Sequence, residues 1–545
     1  PSGAASAQTT AQAAAETAPP AEDAWNLIVF VDNFNIHPAN RTRTLRQLQD
    51  FLSRSLGPGD RVMLVSYDLG LKIRLPFTSD PAAIAGALAG MDGLAAHASN
   101  VDSDRRQAYR SVMTIQEASL SDPQPLPCPL IIAQPAHDYA AARKDEALRT
   151  LGGLTVLVNS LSGLPGRKAV LHVSDGIPAT PGEEVFQFLA ELCGGGGGTG
   201  GIGQRDPGYP DSALEIAEEE ETARSQVRLP SLNPNTVYDT RALGGRAYQG
   251  MSQAPLDAQG YHIGKEISAL VAHANAHQVT LYTLQASGAE RPRAADADFG
   301  VGDRLTQFQS IDRSLRKNYQ DSLHALADGT GGRAILGVNE LAPELARIQE
   351  DASHYLLGFE PKAGGEGKEH KIEVRVKRPG VRLRHRQSYR DKSVMEKTVD
   401  RTLASLYYGV DENPLQIGLT VGEQSPGPGG TVSVPIQLKI PVYKLAILEK
   451  DEGIEAKLRL LLATRDGEGR ASQVRQLPLP IQVPLKEVLH AMGQFYVYTL
   501  TLHLPPGEHR VAVAVRDEVA ATTSFLSHGF TVGGITLGAA APAQP

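Results

Sequence analysis

Dense clusters of lysine and arginine are missing from this sequence. Its 545 residues include 53 Lys and Arg against 61 Asp and Glu, which gives a formal net charge of −8 at pH 7. Nucleic acids and anionic membranes are bound through basic surfaces. The composition therefore argues against a protein that binds either of them.

Long apolar runs are missing as well. The best one extends from Trp25 to Val31, which is the length of a strand, whereas a bilayer-spanning helix needs about 18–20 apolar residues. We therefore expect no transmembrane segment. The chain is also too long for one hydrophobic core, so two or more domains are expected.

The common catalytic motifs are absent too. The sequence contains no G-x-S-x-G nucleophile elbow and no H-E-x-x-H metal motif. The glycine run from Gly194 to Gly203 lacks the G-K-S/T residues of a phosphate-binding loop, so a flexible insertion is the better interpretation. We expect no enzyme, no catalytic residues and no bound organic cofactor.

Cysteine is scarce, with only Cys128 and Cys193 in the whole chain. One interpretation is two unpaired, buried thiols. The other is a single disulfide that joins two inserted segments, which requires an oxidising compartment. The sequence leaves both interpretations open.

The pattern from residue 24 to about 390 predicts a doubly wound, mostly parallel α/β sheet, because strands and amphipathic helices alternate. Asn26 to Val31 is a continuous apolar run, typical of a strand buried on both faces, and Lys168 to Val173 is predicted to be another buried strand. A helix over Tyr139 to Leu161 is expected to be interrupted at Gly152-Gly153. We interpret two off-pattern stretches as insertions at about 92–138 and 194–259. Three antiparallel edge strands are expected near the end of this region, at 355–359, 371–377 and 382–386.

Different patterns flank this region. Residues 1–23 are rich in Ala, Gln, Thr and Pro and are expected to form a disordered tether after an export signal. Residues 391–412 read as a helical linker. Residues 413–536 alternate apolar and polar positions without helices, which predicts a β-sandwich of immunoglobulin or fibronectin type. A short tail follows at 537–545.

Several stretches resemble a known family. They are Ile28 to Asp32, the strand from Lys168 leading into Ser174-Asp175-Gly176, and the segments ANAHQVTLYTL (274–284), DSLHALADGTGGRA (321–334), HYLLGFEP (354–361) and HKIEVRVKR (370–378). Together they resemble the von Willebrand factor A (VWFA)-related domain family abundant in acidobacteria. The resemblance covers roughly residues 24–390. It implies an exported protein, outside the cell or in the periplasm, that often carries a C-terminal immunoglobulin-like β domain.

The resemblance also implies a metal-ion-dependent adhesion site. In the family, the first strand ends in D-x-S-x-S, a Thr comes from a second loop, and an Asp follows the fourth strand. Asp32 and Asp175 match the two acids and Asn35 lies nearby, so these three would hold Mg²⁺ or Ca²⁺ in a remnant of the site. Phe34 and Ile36 replace the serines, however, and no Thr occurs at 139–144, where the family's Thr is expected. We therefore expect hydroxyl ligands to be missing from this site. The alternative is that Asp32 and Asp175 accept backbone hydrogen bonds or cap a helix.

These observations lead to two functional hypotheses. The first is a non-enzymatic protein-binding or adhesion protein with a degenerate metal site, in which Phe34, Ile36 and His37 contact the partner. The second is a structural or assembly component of the cell envelope or of an extracellular complex, which packs with copies of itself or with envelope components.

Overall fold

The computed structural model describes residues 25–68, 70–94, 98–122, 126, 128–194, 248–289, 305–350, 367–378, 380, 383–450 and 453–533. Four predicted features lie wholly or mostly outside these residues. They are the tether at 1–23, most of the second insertion with its glycine run (195–247), the strand at 355–359 and the tail at 537–545.

A six-stranded sheet forms the centre of the first domain, and its order is β3-β2-β1-β4-β5-β6. The strands are β1 (Trp25–Asp32), β2 (Arg61–Tyr67), β3 (Leu71–Thr78), β4 (Arg167–Ser174), β5 (Val279–Gln285) and β6 (Ala334–Ile335). Among the described strands of this sheet, only β3 pairs antiparallel, at one edge; the other described pairs are parallel. The predicted doubly wound, mostly parallel sheet is confirmed. Its strand order reverses between β1 and β4, which is where ligands bind in such sheets.

Helices cover both faces of this sheet. They are α1 (Pro38–Ser55), α2 (Pro81–Met91), α3 (Ala98–Leu120), α4 (Gln134–Leu161), α5 (Glu183–Gly194), α6 (Gly250–Gln259), α7 (Gly264–Ala276), α8 (Leu305–Gly329) and α9 (Ala342–Glu350). Side chains of β1 alternate between two cores: Val29 faces α1, α2 and α9, whereas Phe30 faces α4 and α7. This alternation follows from the two-residue period of a strand.

The two predicted insertions contribute helices to a third core. Buried residues of α3, α5 and α6 pack together there, and a 3-10 turn at Leu130–Ala133 joins them. The disulfide between Cys128 and Cys193 ties this unit together. Of the two interpretations left open by the sequence, the structure therefore shows the disulfide.

Helix α4 is continuous, so the predicted interruption at Gly152-Gly153 is wrong. Gly152 faces open space, whereas a Cβ at Gly153 would lie 2.5 Å from the ring of Tyr67. The second glycine therefore permits close packing between α4 and β2 rather than ending the helix.

The predicted strands at 371–377 and 382–386 are also wrong. Among the described residues of this region, only β7 (Glu369–Lys371) and β8 (Ser388–Arg390) pair, as a short hairpin. The alternation of apolar and charged residues suggested longer strands. Much of 372–378 is exposed, however, so no core stabilises a longer pairing.

Two antiparallel sheets form the predicted β-sandwich. The strands are β9 (Gly418–Val421), β10 (Ser425–Pro426), β11 (Val432–Pro441), β12 (Leu448–Lys450), β13 (Gly453–Asp466), β14 (Arg475–Pro484), β15 (Phe495–Leu504), β16 (Gly507–Asp517) and β17 (Thr523–Val532). One sheet contains β9, β10, β11 and β15, and the other contains β12, β13, β14, β16 and β17. A single apolar core lies between them. A one-turn helix, α11 (Val488–Ala491), precedes β15.

The predicted linker helix is α10 (Val394–Tyr408), and it is packed on both sides. Ser393 and Glu396 form a capping box at its start, and Gly409 ends it with φ of +63°. The Tyr408 hydroxyl lies 2.6 Å from Ser160 Oγ of α4. On its other side, Leu406 packs against the second sheet of the sandwich. The helix is therefore a docked connection between the two domains.

Candidate functional site

The two predicted acids lie at the same end of the sheet. Asp32 is the last residue of β1, and Asp175 directly follows β4, its parallel neighbour. Asn35 connects them, because its carbonyl accepts the Asp175 N–H at 2.8 Å and its own N–H donates to Asp32 Oδ1 at 3.1 Å. This end, formed by residues 32–40 and 174–176, is called the switch-point rim below.

The carboxylate of Asp32 is fully buried and surrounded by hydrogen-bond donors. Asn35 donates its side-chain amide to Oδ2 at 2.9 Å, and Ser174 Oγ lies 3.3 Å from the same oxygen. His172 Nε2 lies 3.4 Å from it. Burial, together with the nearby charge of Asp32, raises the pKa of Tyr67.

The carboxylate of Asp175 lies at the start of α1. Its Oδ2 accepts the His37 backbone N–H at 2.8 Å, and both oxygens accept the Asn40 side-chain amide at 3.1 Å. His37 is the residue that precedes α1. Asp175 therefore accepts a hydrogen bond from an N–H that has no carbonyl partner within the helix. A negative charge here also interacts favourably with the helix dipole.

This donor set does not fit a divalent cation. Mg²⁺ and Ca²⁺ require carboxylate, carbonyl, hydroxyl or water oxygens aimed at one point. Here N–H groups of Asn35, His37 and Asn40 point at the carboxylate oxygens instead. In the part of the chain that the structure describes, no group of three or more His, Cys, Asp or Glu could hold a metal ion. The arrangement matches the alternative in which the two acids accept hydrogen bonds.

The side chains of Phe34 and Ile36 are buried, which corrects the prediction that they form an exposed contact surface. Ile36 is 0% exposed and packs in the core beneath α1, whereas Phe34 is 7% exposed and packs in the core beneath α4. In the loop after β1, successive even-numbered side chains point alternately into the two cores on either side of the sheet: Phe34 into one and Ile36 into the other. Phe34 and Ile36, at the positions where an adhesion site was expected to have serines, therefore extend the two cores.

Two hydroxyls lie beside the acids, so the expectation that hydroxyl neighbours are missing is also wrong. Thr150 Oγ1 of α4 accepts the Asn35 amide at 3.0 Å, and Ser174 contacts Asp32. Thr150 lies further along α4 than residues 139–144, where the Thr was expected. Ser174 belongs to the S-D-G segment at the end of β4, whereas Asn40 carries no sequence signal because it lies inside α1.

His172, Ser174 and Asp32 do not form a hydrolase triad. In a triad the serine donates to the histidine, which is oriented by the acid. Here the serine and the histidine both lie beside the same oxygen of Asp32, and all three are 0–1% exposed. A substrate has no access to this serine in the described structure.

His37 is the predicted contact residue that reaches the surface, and its side chain is 30% exposed. Its Nε2 lies 3.1 Å from Asp102 Oδ2 on α3, a helix of the first insertion. The insertion therefore lies over part of the switch-point rim. Pro38 and Ala39, the first residues of α1, are exposed beside it.

A cleft of about 70 Å³ lies between α3, α8 and the rim. Acidic and basic side chains both line it, and Arg105 forms an ion pair with Asp102 at 2.9 Å. Burial lowers the pKa of Arg105, but the nearby Tyr139, Tyr109 and Asp102 outweigh burial and raise the pKa above its ordinary value. The other charged residues of its lining include His37, Asp175, Asp312 and Arg316. The cleft therefore carries both signs of charge on a lining that also includes apolar side chains such as Val101 and Leu315.

Within the described ranges, no helix combines the length and apolar character that crossing a lipid bilayer requires.

Comparisons with known proteins identify structures of similar architecture. No protein-family model and no curated protein matches the chain. A von Willebrand factor type A protein from Catenulispora acidiphila is 8% identical, with a TM-score of 0.21. The alignment covers 94% of this chain and 66% of that protein. An aerotolerance-related membrane protein from Bacteroides fragilis is 9% identical, with a TM-score of 0.23. The alignment covers 60% of this chain and 98% of that protein.

A third similar structure comprises three N-terminal domains of the type V pili tip protein Mfa5 from Porphyromonas gingivalis. It is 11% identical, with a TM-score of 0.25, and the alignment covers 93% of this chain and 71% of that structure. All three TM-scores are below 0.5. The fold is therefore assigned from the strand order and helix packing of this chain, and not from these similarities.

Proposed function

We propose that this chain is an exported, non-enzymatic protein-binding protein of the von Willebrand A type, related to the acidobacterial family. In this proposal the switch-point rim contacts its partner directly, without a bridging metal ion. The C-terminal sandwich is an immunoglobulin-like domain that displays the first domain.

The hydrogen bonding of Asp32 and Asp175 carries this proposal. Both carboxylates receive N–H groups from the chain itself, so they are poor ligands for a cation that would recruit a partner's acidic side chain. What the rim offers outward is the exposed start of α1, the half-exposed His37 and the charged cleft beside α3. Surfaces of this mixed character suit a protein contact better than an anionic polymer.

Export is supported by the disulfide between Cys128 and Cys193. Disulfides persist in oxidising compartments and are rare where thiols are kept reduced. The bridge joins residues 65 apart, and closing a loop of this length stabilises the folded chain by about 4 kcal/mol in the chain-entropy description. A non-enzymatic role is supported by the buried, mutually bonded polar groups around Asp32.

The test compares two matched variants of the full-length protein. Ala39→Arg places a bulky cation at the second residue of α1, on the rim. Ala82→Arg places the same side chain at the second residue of α2, at the opposite end of the sheet; both alanines are exposed and each follows a helix-starting proline. The readout is crosslinked capture from an envelope extract of the organism that makes the chain, with and without a chelator.

The expected result is a defined partner captured equally with and without the chelator, lost with Ala39→Arg and retained with Ala82→Arg. Loss of capture on chelation would overturn the metal-independent mode. Equal capture by both variants would remove the rim from the contact.

Assembly with copies of itself is the second candidate function. One observation favours it, namely the long, uncharged strand β15 at the edge of the sandwich.

A further inference from the structure

Strand β15 forms one edge of its sheet. It pairs antiparallel with β11 along its whole length, from Phe495 opposite Pro441 to Leu504 opposite Val432. Among the described residues, no strand pairs with its other side. Because alternate backbone groups of an antiparallel strand point away from its neighbour, this edge offers a row of N–H and C=O groups to an added strand.

This edge lacks the features that usually prevent strand addition. Edge strands of monomeric proteins are commonly protected by charged residues, especially Lys, or by Pro. The sequence of β15, FYVYTLTLHL, contains no Lys, Arg, Asp, Glu or Pro. The contrast is β14, an edge of the facing sheet, which carries Pro478, Pro480 and Pro484.

The core beside β15 is incomplete. The inward-facing residues of β11, such as Val434 and Ile436, are 0% exposed. Their counterparts on β15 are only partly buried against the same core; they are Tyr496, Tyr498, Leu500, Leu502 and Leu504. On the outer face Phe495 is 57% exposed and Val497 is 51% exposed. Apolar surface therefore remains uncovered along this margin on both faces of the sheet.

We propose that two copies of this chain associate by pairing their β15 strands antiparallel about a two-fold axis. With Thr499 opposite Thr499 of the second copy, Val497 faces Thr501 and Tyr498 faces Leu500. Inward residues then meet only inward residues, and outward residues meet only outward ones. Aromatic, aliphatic and Thr–Thr pairs of this kind stabilise antiparallel sheets.

Charge and size both favour a second copy as the occupant. β15 carries no Lys, Arg, Asp or Glu, and in this register its histidine, His503, faces Phe495 of the second copy, so the pairing brings no like charges together. Its 10 residues span about 33 Å at about 3.3 Å per residue. Over that length, the roughly 800 Å² per partner that stable interfaces bury corresponds to a contact strip about 24 Å wide. Two-fold dimers are also the commonest oligomers.

The experiment measures the mass of the full-length protein by sedimentation velocity over a wide concentration range. Thr499→Lys places two cations face to face at the axis. Thr420→Lys is the matched control, because Thr420 is an exposed threonine on β9, which pairs with the opposite side of β11. Thermal unfolding of both variants verifies that each is folded.

We expect a concentration-dependent dimer for the wild type and for Thr420→Lys. Thr499→Lys should raise the dimer dissociation constant about tenfold or more, equivalent to at least about 1.4 kcal/mol. A wild-type protein that is monomeric throughout, or a dimer unaffected by Thr499→Lys, would overturn the proposal.

A second variant tests the register independently of charge. Thr499→Cys should form an intermolecular disulfide under mild oxidation, whereas Thr420→Cys should not, and equal crosslinking of the two would contradict the two-fold pairing. Capture of a partner at the switch-point rim does not depend on β15, so loss of dimerisation in Thr499→Lys with capture intact separates this inference from the proposed function.

Discussion

Asn35 donates two hydrogen bonds to the carboxylate of Asp32, one from its backbone N–H at 3.1 Å and one from its side-chain amide at 2.9 Å. Asp32 is fully buried, and a buried carboxylate destabilises a fold unless donors satisfy its oxygens. The loop after β1 therefore supplies from within the chain what a cation or water would otherwise provide.

Replacing Asn35 should be destabilising because it removes a donor from a buried charge. We expect Asn35→Ala to lower the free energy of unfolding by about 2–3 kcal/mol, as measured by urea denaturation. Asn40→Ala is the comparison, since Asp175 is partly exposed and keeps the His37 N–H; its loss should be about 1 kcal/mol or less. Equal losses for the two variants would contradict this account.

Ile36→Ser introduces the residue type that a metal-ion-dependent adhesion site would carry at this position. Because Ile36 is completely buried, the change leaves a cavity and a buried hydroxyl, and we expect unfolding to become easier by about 3–4 kcal/mol. The variant should not acquire Mg²⁺ binding. Ala39→Ser, at an exposed position of the same segment, should stay within about 0.5 kcal/mol of the wild type. A loss below about 1 kcal/mol for Ile36→Ser would show that the core tolerates an empty site there.

Two adjacent glycines of α4 should respond in opposite directions. Gly152→Ala fills open space on an exposed helical position, so it should stabilise the protein by about 0.5–1 kcal/mol. Gly153→Ala brings a methyl group against the Tyr67 ring, so it should destabilise by about 1–3 kcal/mol. Thermal unfolding of both variants checks this, and a shift of the same sign in both would argue against a continuous, closely packed α4.

The sheet and the position of its acids could be predicted because their signals are local. A continuous apolar run identifies β1, and a largely apolar one identifies β4, as strands buried on both faces. In a parallel pair, residues that follow the two strands must meet at one end, so Asp32 and Asp175 were expected together. The sandwich core was predictable for the same reason, from the alternation in β11 and β13.

Other features depend on contacts between distant segments and could not be predicted. His37 meets Asp102 across 65 residues, and no periodicity indicates that α3 lies over the rim. The directions of Phe34 and Ile36 depend on how the loop after β1 packs, which a motif comparison does not include. Strand β14 was not predicted, because its prolines argue against a strand. They are tolerated because β14 lies at the edge of its sheet.

Acid should weaken the junction between the first domain and α10. Burial, with the nearby Lys392, His273, Lys168 and Arg390, lowers the pKa of His277 to about 3. Its Nδ1 lies 2.8 Å from Lys392 Nζ and 4.0 Å from the carboxylate of Asp400. Between pH 6.5 and about 3 the unfolded chain therefore binds a proton that the folded chain does not. Stability should fall as the pH falls through this window, by up to about 1.4 kcal/mol per pH unit.

The comparison for this pH effect is His277→Gln against His324→Gln. His324 lies on α8 with a side chain that is 55% exposed. Relative to the wild type, His277→Gln should become more stable as the pH drops from 7 to 4, and His324→Gln should follow the wild type. Parallel curves for all three proteins would remove His277 as the cause.

Calorimetric titration of the chelator-stripped, full-length protein with Mg²⁺ and Ca²⁺ tests most directly whether the rim acids are hydrogen-bond acceptors rather than metal ligands. We expect no saturable heat for the wild type, and the same trace for Asp32→Asn. Stoichiometric binding in the wild type that Asp32→Asn abolishes would contradict the account.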